Sequence, residues 1–276
     1  MFPDAYGIHI GPLYIRFYAL ILIAGMMVGA YLAARRAPKF GLDPKYIWDG
    51  LTWAIIPGLI GARIYHILTP SPASGLTTQY YLENPLQMFA IWNGGLGIYG
   101  GIVGGIVGIW LFARRCKQPL HAWLDLVAPS MAIGQAIGRW GNFVNQELYG
   151  APSDLPWAIY ILPENRLRGY EAFERFHPLF LYESIWMLGT GLILMSLAWR
   201  WRDRTPRGTI TLLYIISYAA IRFLLDFLRL DSHGIQGIPA LTTAQIVSLA
   251  AAGVALVLMV IGLRQAVAVE GAAHEH

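Results

Sequence analysis

Gly138-Arg139-Trp140-Gly141-Asn142-Phe143-Val144-Asn145-Gln146-Glu147-Leu148-Tyr149-Gly150 packs one arginine, two asparagines, one glutamine and one glutamate between three glycines. Polar and apolar residues alternate there with neither helical nor strand period, so the stretch reads as a binding loop at the outer end of a helix. Glycines permit tight turns, the amides and the guanidinium supply directional hydrogen bonds, and the carboxylate is a possible base. That combination suits a phosphate-bearing, amphiphilic ligand. Three further arginines, Arg16, Arg63 and Arg222, fall in or beside apolar windows. Each costs up to ~3 kcal/mol at the centre of a membrane helix, so something anionic must compensate them. Plainer roles compete: Arg16 can snorkel to headgroups, and Arg63 can bind a helix end or a carboxylate. Arg222, Asp226 and Arg229 follow at i, i+4 and i+7, one charged face on which Arg222 and Asp226 can pair without any ligand.

The elements that must position these residues belong to a membrane. Of 276 residues, 56% are hydrophobic and only 13% charged, against about a quarter charged in a soluble domain. Apolar windows run over 12–34, 48–69, 86–113, 122–138, 179–199, 209–228 and 242–263, each near the length that crosses ~30 Å as a helix. The expected architecture is therefore all-α and polytopic, seven transmembrane helices forming one membrane domain over 1–276. The fourth window is short and the third is rich in glycine, which marks these two as tilted, broken or re-entrant. Arg35, Arg36, Lys39 and Lys45 follow the first window, Arg114, Arg115 and Lys117 the third, Arg200, Arg202, Arg204 and Arg207 the fifth, and Arg264 the seventh. The positive-inside rule then sets the N-terminus outside and the C-terminus in the cytoplasm. The connection over 139–178, inserted between spans four and five, becomes a small external head. The same alternation brings all four arginines to the outer half of the membrane. The first apolar run has its basic cluster after it rather than before, as a retained anchor does.

In the third window Gly95, Gly97 and Gly100 spell a dinucleotide fingerprint, but no strand or βαβ unit surrounds it. Small-xxx-small pairs such as Gly97 with Gly101 and Gly104 with Gly108 are expected to pack helices closely. Tyr99 among them, and Tyr18 in the first window, are read either as ligand contacts or as packed rings. Serine-hydrolase, zincin and Walker A motifs are absent, the lone Cys116 is read as incidental, and no Cys/His spacing suggests a metal. The basic residues are scattered between apolar segments, which argues against nucleic acid as a partner.

The stretch from Gly138 to Gly150 is similar to the G-R-x-G-N-F-x-N-x-E-x-x-G signature of prolipoprotein diacylglyceryl transferases. Supporting matches are Arg16-Phe17-Tyr18, Gly61-Ala62-Arg63, Trp92-x-Gly94-Gly95, His177-Pro178 with Leu181-Tyr182-Glu183, and Arg222-Phe223 with Phe227 and Arg229. The resemblance implies a bacterial plasma-membrane enzyme with seven spans. Such an enzyme moves the diacylglyceryl group of phosphatidylglycerol to the thiol of a cysteine in a lipoprotein precursor, recognised through its signal peptide, and needs no cofactor. It implies phosphate-handling roles for Arg139 and Arg222, a catalytic role for Glu147, and functional roles for Tyr18, Asn142 and Gly150. Arg63, Arg229 and Asp226 join them as substrate-binding candidates, and membrane lipid is the surrounding partner. The chain departs from the family at three places: Tyr99 stands where a histidine is usual, Asp226 where a glutamate is usual, and Thr242-Thr243-Ala244-Gln245 replaces S-M-G-Q. A phenol, with an ordinary pKa of about 10, is a poor base at neutral pH. Thiol activation thus falls to Glu147, to Tyr99 or to solvent.

Two rival readings remain distinct. A transporter of an anionic solute would also use buried arginines and a glycine-broken helix, but an odd span count without an internal repeat fits two matched halves poorly. An inactive relative that binds lipid or lipoprotein precursors would account for the missing histidine.

Overall fold

The computed structural model describes residues 2–3, 6–10, 13–70, 76–91, 94–117, 119–201, 205–230, 234–235 and 238–274. In chain order the elements are β1 (Phe2–Pro3), β2 (Gly7–Ile10), β3 (Leu13–Arg16), α1 (Phe17–Arg36), α2 (Lys45–Leu68), α3 (Thr78–Glu83), α4 (Ile98–Arg115), α5 (Leu120–Asn145), β4 (Ile159–Tyr160), β5 (Arg175–Phe176), α6 (Leu179–Arg200), α7 (Thr209–Asp226), β6 (Gly234–Ile235), β7 (Ile238–Thr242) and α8 (Thr243–His274). The chain is mostly helical, and among the described residues five helices, α1, α2, α6, α7 and α8, are long and apolar enough to cross a membrane. The all-α expectation is modified by three short antiparallel ladders, β1-β2-β3, β4-β5 and β6-β7. They lie in connections, where backbone groups outside the helices need partners. Trp92 in the third-span match and the basic residues Arg202 and Arg204 lie outside the described residues.

Two boundaries differ from those expected. The fourth helix is not short: α5 has 26 residues and continues through Gly138–Asn145, so the first eight signature residues are its last two turns rather than a loop. Gly138, Arg139, Gly141, Asn142 and Asn145 make those last turns too polar for a hydropathy reading to include. The third window splits, with a 3₁₀ turn over Pro85–Phe89 and helix only from Ile98, because Gly94 and Gly95 both take positive φ.

The fold divides into two compact units, one formed by 1–33 and 124–276 and the other by 34–123. In the second, α2 and α4 pack through the glycine stripe: a methyl on Gly100, Gly104 or Gly108 would strike the backbone carbonyls of Gly61, Pro57 and Trp53 respectively. The spacing of four on both helices sets an antiparallel close approach, the small-residue packing expected in lipid. In the first unit α5 touches α1, α6 and α7. Gly25 and Gly29 of α1 meet Gly134 and Ser130 of α5, where a Cβ on Gly134 would lie 2.6 Å from the Gly25 carbonyl. Ser184 of α6 donates to the Ala136 carbonyl at 2.8 Å. Asp125 near the start of α5 accepts from the Gly208 and Thr211 amides at 2.6 and 2.8 Å and from the Thr211 hydroxyl at 2.7 Å, so it caps the N-terminus of α7. Thr190 and Ser217 join α6 to α7 at 2.7 Å. These contacts fix the depth of α5, α6 and α7 against one another, and hence the level at which their charged residues meet.

Candidate active site

Beyond α5 the chain turns sharply. Gln146 and Leu148 both have left-handed backbones, at φ 51° and 55°, a conformation that is uncommon for residues other than glycine and is stabilised by its surroundings. Gln146 Oε1 accepts from the Leu162 amide at 2.8 Å and from Asn165 at 3.2 Å. The Tyr149 hydroxyl accepts from the Leu167 amide at 2.6 Å and donates to the Asn165 carbonyl at 2.9 Å. Tyr149, Ile161 and Phe176 form a buried cluster beneath β4 and β5. Two signature residues are thus structural, holding the 146–178 connection in shape. Gly150 has a related role: its amide bonds the His177 carbonyl at 2.9 Å, it bridges to Arg229, and a Cβ there would lie 2.9 Å from His177 and Leu179. Three segments converge where only glycine fits.

Against this frame Arg139 of α5, Arg222 of α7 and Arg229 just past α7 line one small cavity together with Asn142, Glu183 and an apolar wall of Leu148, Leu179, Phe180 and Leu225. Each of the two helical arginines has a buried carboxylate behind it. Arg139 forms an ion pair with Glu183 of α6, which is 6% exposed. Arg222 Nη2 lies 3.6 Å from Asp226 one turn on, the pairing expected from their spacing. One carboxylate cannot engage all five donors of a guanidinium, and both arginines retain a face toward the cavity. Asn142 is buried and donates to Glu147 Oε1 at 3.0 Å, with Asn145 adding a weaker bond at 3.4 Å. Glu147 itself is exposed. The Tyr18 ring lies against Gly141, where a Cβ would come within 2.7 Å.

Eight of the ten expected site residues therefore lie in the first unit, with Arg139, Asn142, Arg222 and Arg229 on one cavity and Tyr18, Glu147, Gly150 and Asp226 bonded or packed around it. Arg63 and Tyr99 lie in the second unit. Arg63 donates to the carbonyls of Gln87, Met88, Gly94 and Gly95 at 2.5, 2.8, 2.8 and 2.9 Å, so it holds the bend before α4, close to the plainer role foreseen for it. Tyr99 is 65% exposed, its ring 5.8 Å from that of Tyr65. Arg16 ends β3 with an exposed side chain.

Sequence reasoning missed Glu183 and Thr242 as site residues. The signal for Glu183 was charge balance: a carboxylate in the first turns of an apolar helix needs a cation, and Arg139 needed an anion. Thr242 bonds Asp226 through its hydroxyl, accepts from the Gln245 amide at 3.1 Å and donates its own amide to Gln245 Oε1 at 3.0 Å. This is a capping box starting α8 that also anchors the carboxylate behind Arg222, and it joins two of the three places where the chain departs from the family pattern. Thr242→Val should lower thermal stability by about 1.5–3 kcal/mol, because the buried Asp226 oxygen loses its donor. Thr242→Ser should restore it. Melting of the purified variants in detergent measures this, and equal melting temperatures for Val and wild type would contradict the anchor.

The family model for prolipoprotein diacylglyceryl transferase matches residues 5–261. The chain is 40% identical over 249 residues to a phosphatidylglycerol--prolipoprotein diacylglyceryl transferase of Gloeobacter violaceus, covering 90% of this chain and 88% of that protein. It is 39% identical to one of Synechococcus elongatus, covering 90% and 84%, and 38% identical to one of Trichormus variabilis, covering 90% and 85%. With its five long apolar helices and its match over most of its length, the chain belongs to the prolipoprotein diacylglyceryl transferase family of multi-pass bacterial membrane enzymes.

Proposed function

We propose that the cavity binds the phosphodiester of phosphatidylglycerol and that the chain transfers its diacylglyceryl group to the cysteine thiol of a lipoprotein precursor. The observation that carries this reading is that two arginines from two helices share one cavity with an apolar wall. Guanidinium forks match phosphate oxygens, and the leucines and Phe180 suit the glyceryl and acyl portion. The thiolate attacks the terminal glyceryl carbon, the C–S bond forms as the carbon–oxygen bond to phosphate breaks, and glycerol phosphate leaves with the bonding pair. Arg139 and Arg222 stabilise the charge that gathers on the departing phosphate. The thiol proton passes to a base, for which Glu147 beside Asn142 is the favoured group. Purified protein incubated with phosphatidylglycerol and a peptide bearing the lipoprotein-type cysteine should yield a thioether-linked lipid peptide, detected by its mass. Lipid binding without that product would favour the inactive-relative reading.

Seven spans are part of the proposal. α4, with 18 residues, rises about 27 Å, and α5 is longer. α4 is as apolar as α7, and α5 is less so because it carries Asp125, Gln135 and Arg139. The N-terminus and the 146–178 head face outside, and the acceptor signal peptide enters from there. Single cysteines at Asp154 and Arg207 in a Cys116→Ala background should label from opposite sides of the membrane, and labelling from one side would overturn this topology.

A further inference from the structure

The reaction changes the charge of what the cavity holds. A phosphodiester carries one negative charge. The departing glycerol phosphate is a monoester whose second pKa is about 6, so it carries close to two above neutral pH, while the thiol proton leaves separately. A cavity offering only arginines would grip the product more firmly than the substrate and slow its departure.

Glu183 stands in the way of that outcome. It is the one carboxylate among the described residues lining the cavity, and it is 6% exposed in the first turns of α6. Its Oε1 faces Arg139 as an ion pair, so the carboxylate and a ligand on the far side of the guanidinium share one cation. Its burial leaves it weakly screened from a ligand resting on the same guanidinium. Whatever the total charge of the site, such a carboxylate opposes a dianion twice as strongly as a monoanion. Resting on the reading that Arg139 and Arg222 hold the phosphate, we infer that Glu183 is a specificity-determining residue that disfavours the dianionic phosphomonoester product relative to the monoanionic diester substrate and so speeds product release.

Two soluble probes test this on the full-length protein at pH 8: glycerol phosphate, a dianionic monoester, and glycerophosphoglycerol, a monoanionic diester with the same polyol. In wild type the diester should inhibit at least as well as the monoester. In Glu183→Gln the inhibition constant of the monoester should fall about tenfold relative to that of the diester, whereas Glu183→Asp, which keeps the charge, should hold the wild-type ratio. A role confined to buttressing Arg139 would weaken both probes alike in Glu183→Gln, and an unchanged ratio overturns the inference. Should the Gln variant fail to fold, the wild-type ratio still decides, since a monoester bound more than about tenfold tighter than the diester refutes discrimination. If neither probe competes with phosphatidylglycerol in wild type and Arg222→Gln leaves the KM for the lipid unchanged, the phosphate-site reading itself falls and this inference with it.

Discussion

Replacing Arg139 or Arg222 by lysine is expected to lower the transfer rate by about 100-fold or more, the usual cost of losing one preorganised donor to charge that develops in a transition state. Lysine keeps the positive charge, so the loss isolates geometry. Arg139 must satisfy Glu183 and still present donors to the cavity, and Arg222 must do the same with Asp226. A planar guanidinium with five donors serves two anions at once, whereas an ammonium that sits on the buried carboxylate leaves the phosphate unbound. Both kcat and the affinity for phosphatidylglycerol should therefore fall in each lysine variant. Radiolabelled lipid transfer to an acceptor peptide, measured across lipid concentration, separates the two. Lysine variants within threefold of wild type would show that the site needs only charge, and the clamp would have to be abandoned.

The arginines were legible in the sequence because the membrane makes them costly. Arg139 and Arg222 stand out at the edge of one apolar window and inside another, and that cost predicts an anion. Hydropathy does not say which anion. Glu183 lies forty-four positions from Arg139 and Thr242 sixteen from Asp226, so neither pairing has a local signature. Both depend on how α6 packs on α5 and α8 begins beside the end of α7. The helix ends were harder still. The signature from Gly138 to Asn145 reads as irregular because Gly138, Gly141 and Asn142 break the apolar period, yet those residues are helical, and the two glycines are small where Leu22 and Tyr18 of α1 pack. Gln146 reads as a ligand donor and, with Tyr149, ties the 146–178 connection in place. A polar residue in a signature announces that its hydrogen bonds matter without revealing whether the partner is a ligand or the backbone.

Glu147→Gln is expected to lower kcat by about 100-fold or more, while Tyr99→Phe should stay within about threefold of wild type. A phenol acting as base near neutral pH needs its pKa lowered by about three units, which demands roughly 4 kcal/mol of stabilisation from its surroundings. Tyr99 is mostly exposed on α4 beside another tyrosine ring, with no cation paired to it among the described residues of its unit. Arg63 of the same unit is committed to four carbonyls. Glu147 is placed differently. The left-handed turns at Gln146 and Leu148 present it outward from the end of α5, and both of its described side-chain bonds, from Asn142 and Asn145, fall on Oε1. Oε2 is left to accept a proton. Glutamine keeps the shape and the bond from Asn142 in one amide orientation but cannot take up that proton, so the KM for phosphatidylglycerol should change little while kcat collapses. Initial rates for both variants over a range of lipid and peptide concentrations decide the matter. A kcat that survives in Glu147→Gln and disappears in Tyr99→Phe would transfer the role of base to the tyrosine.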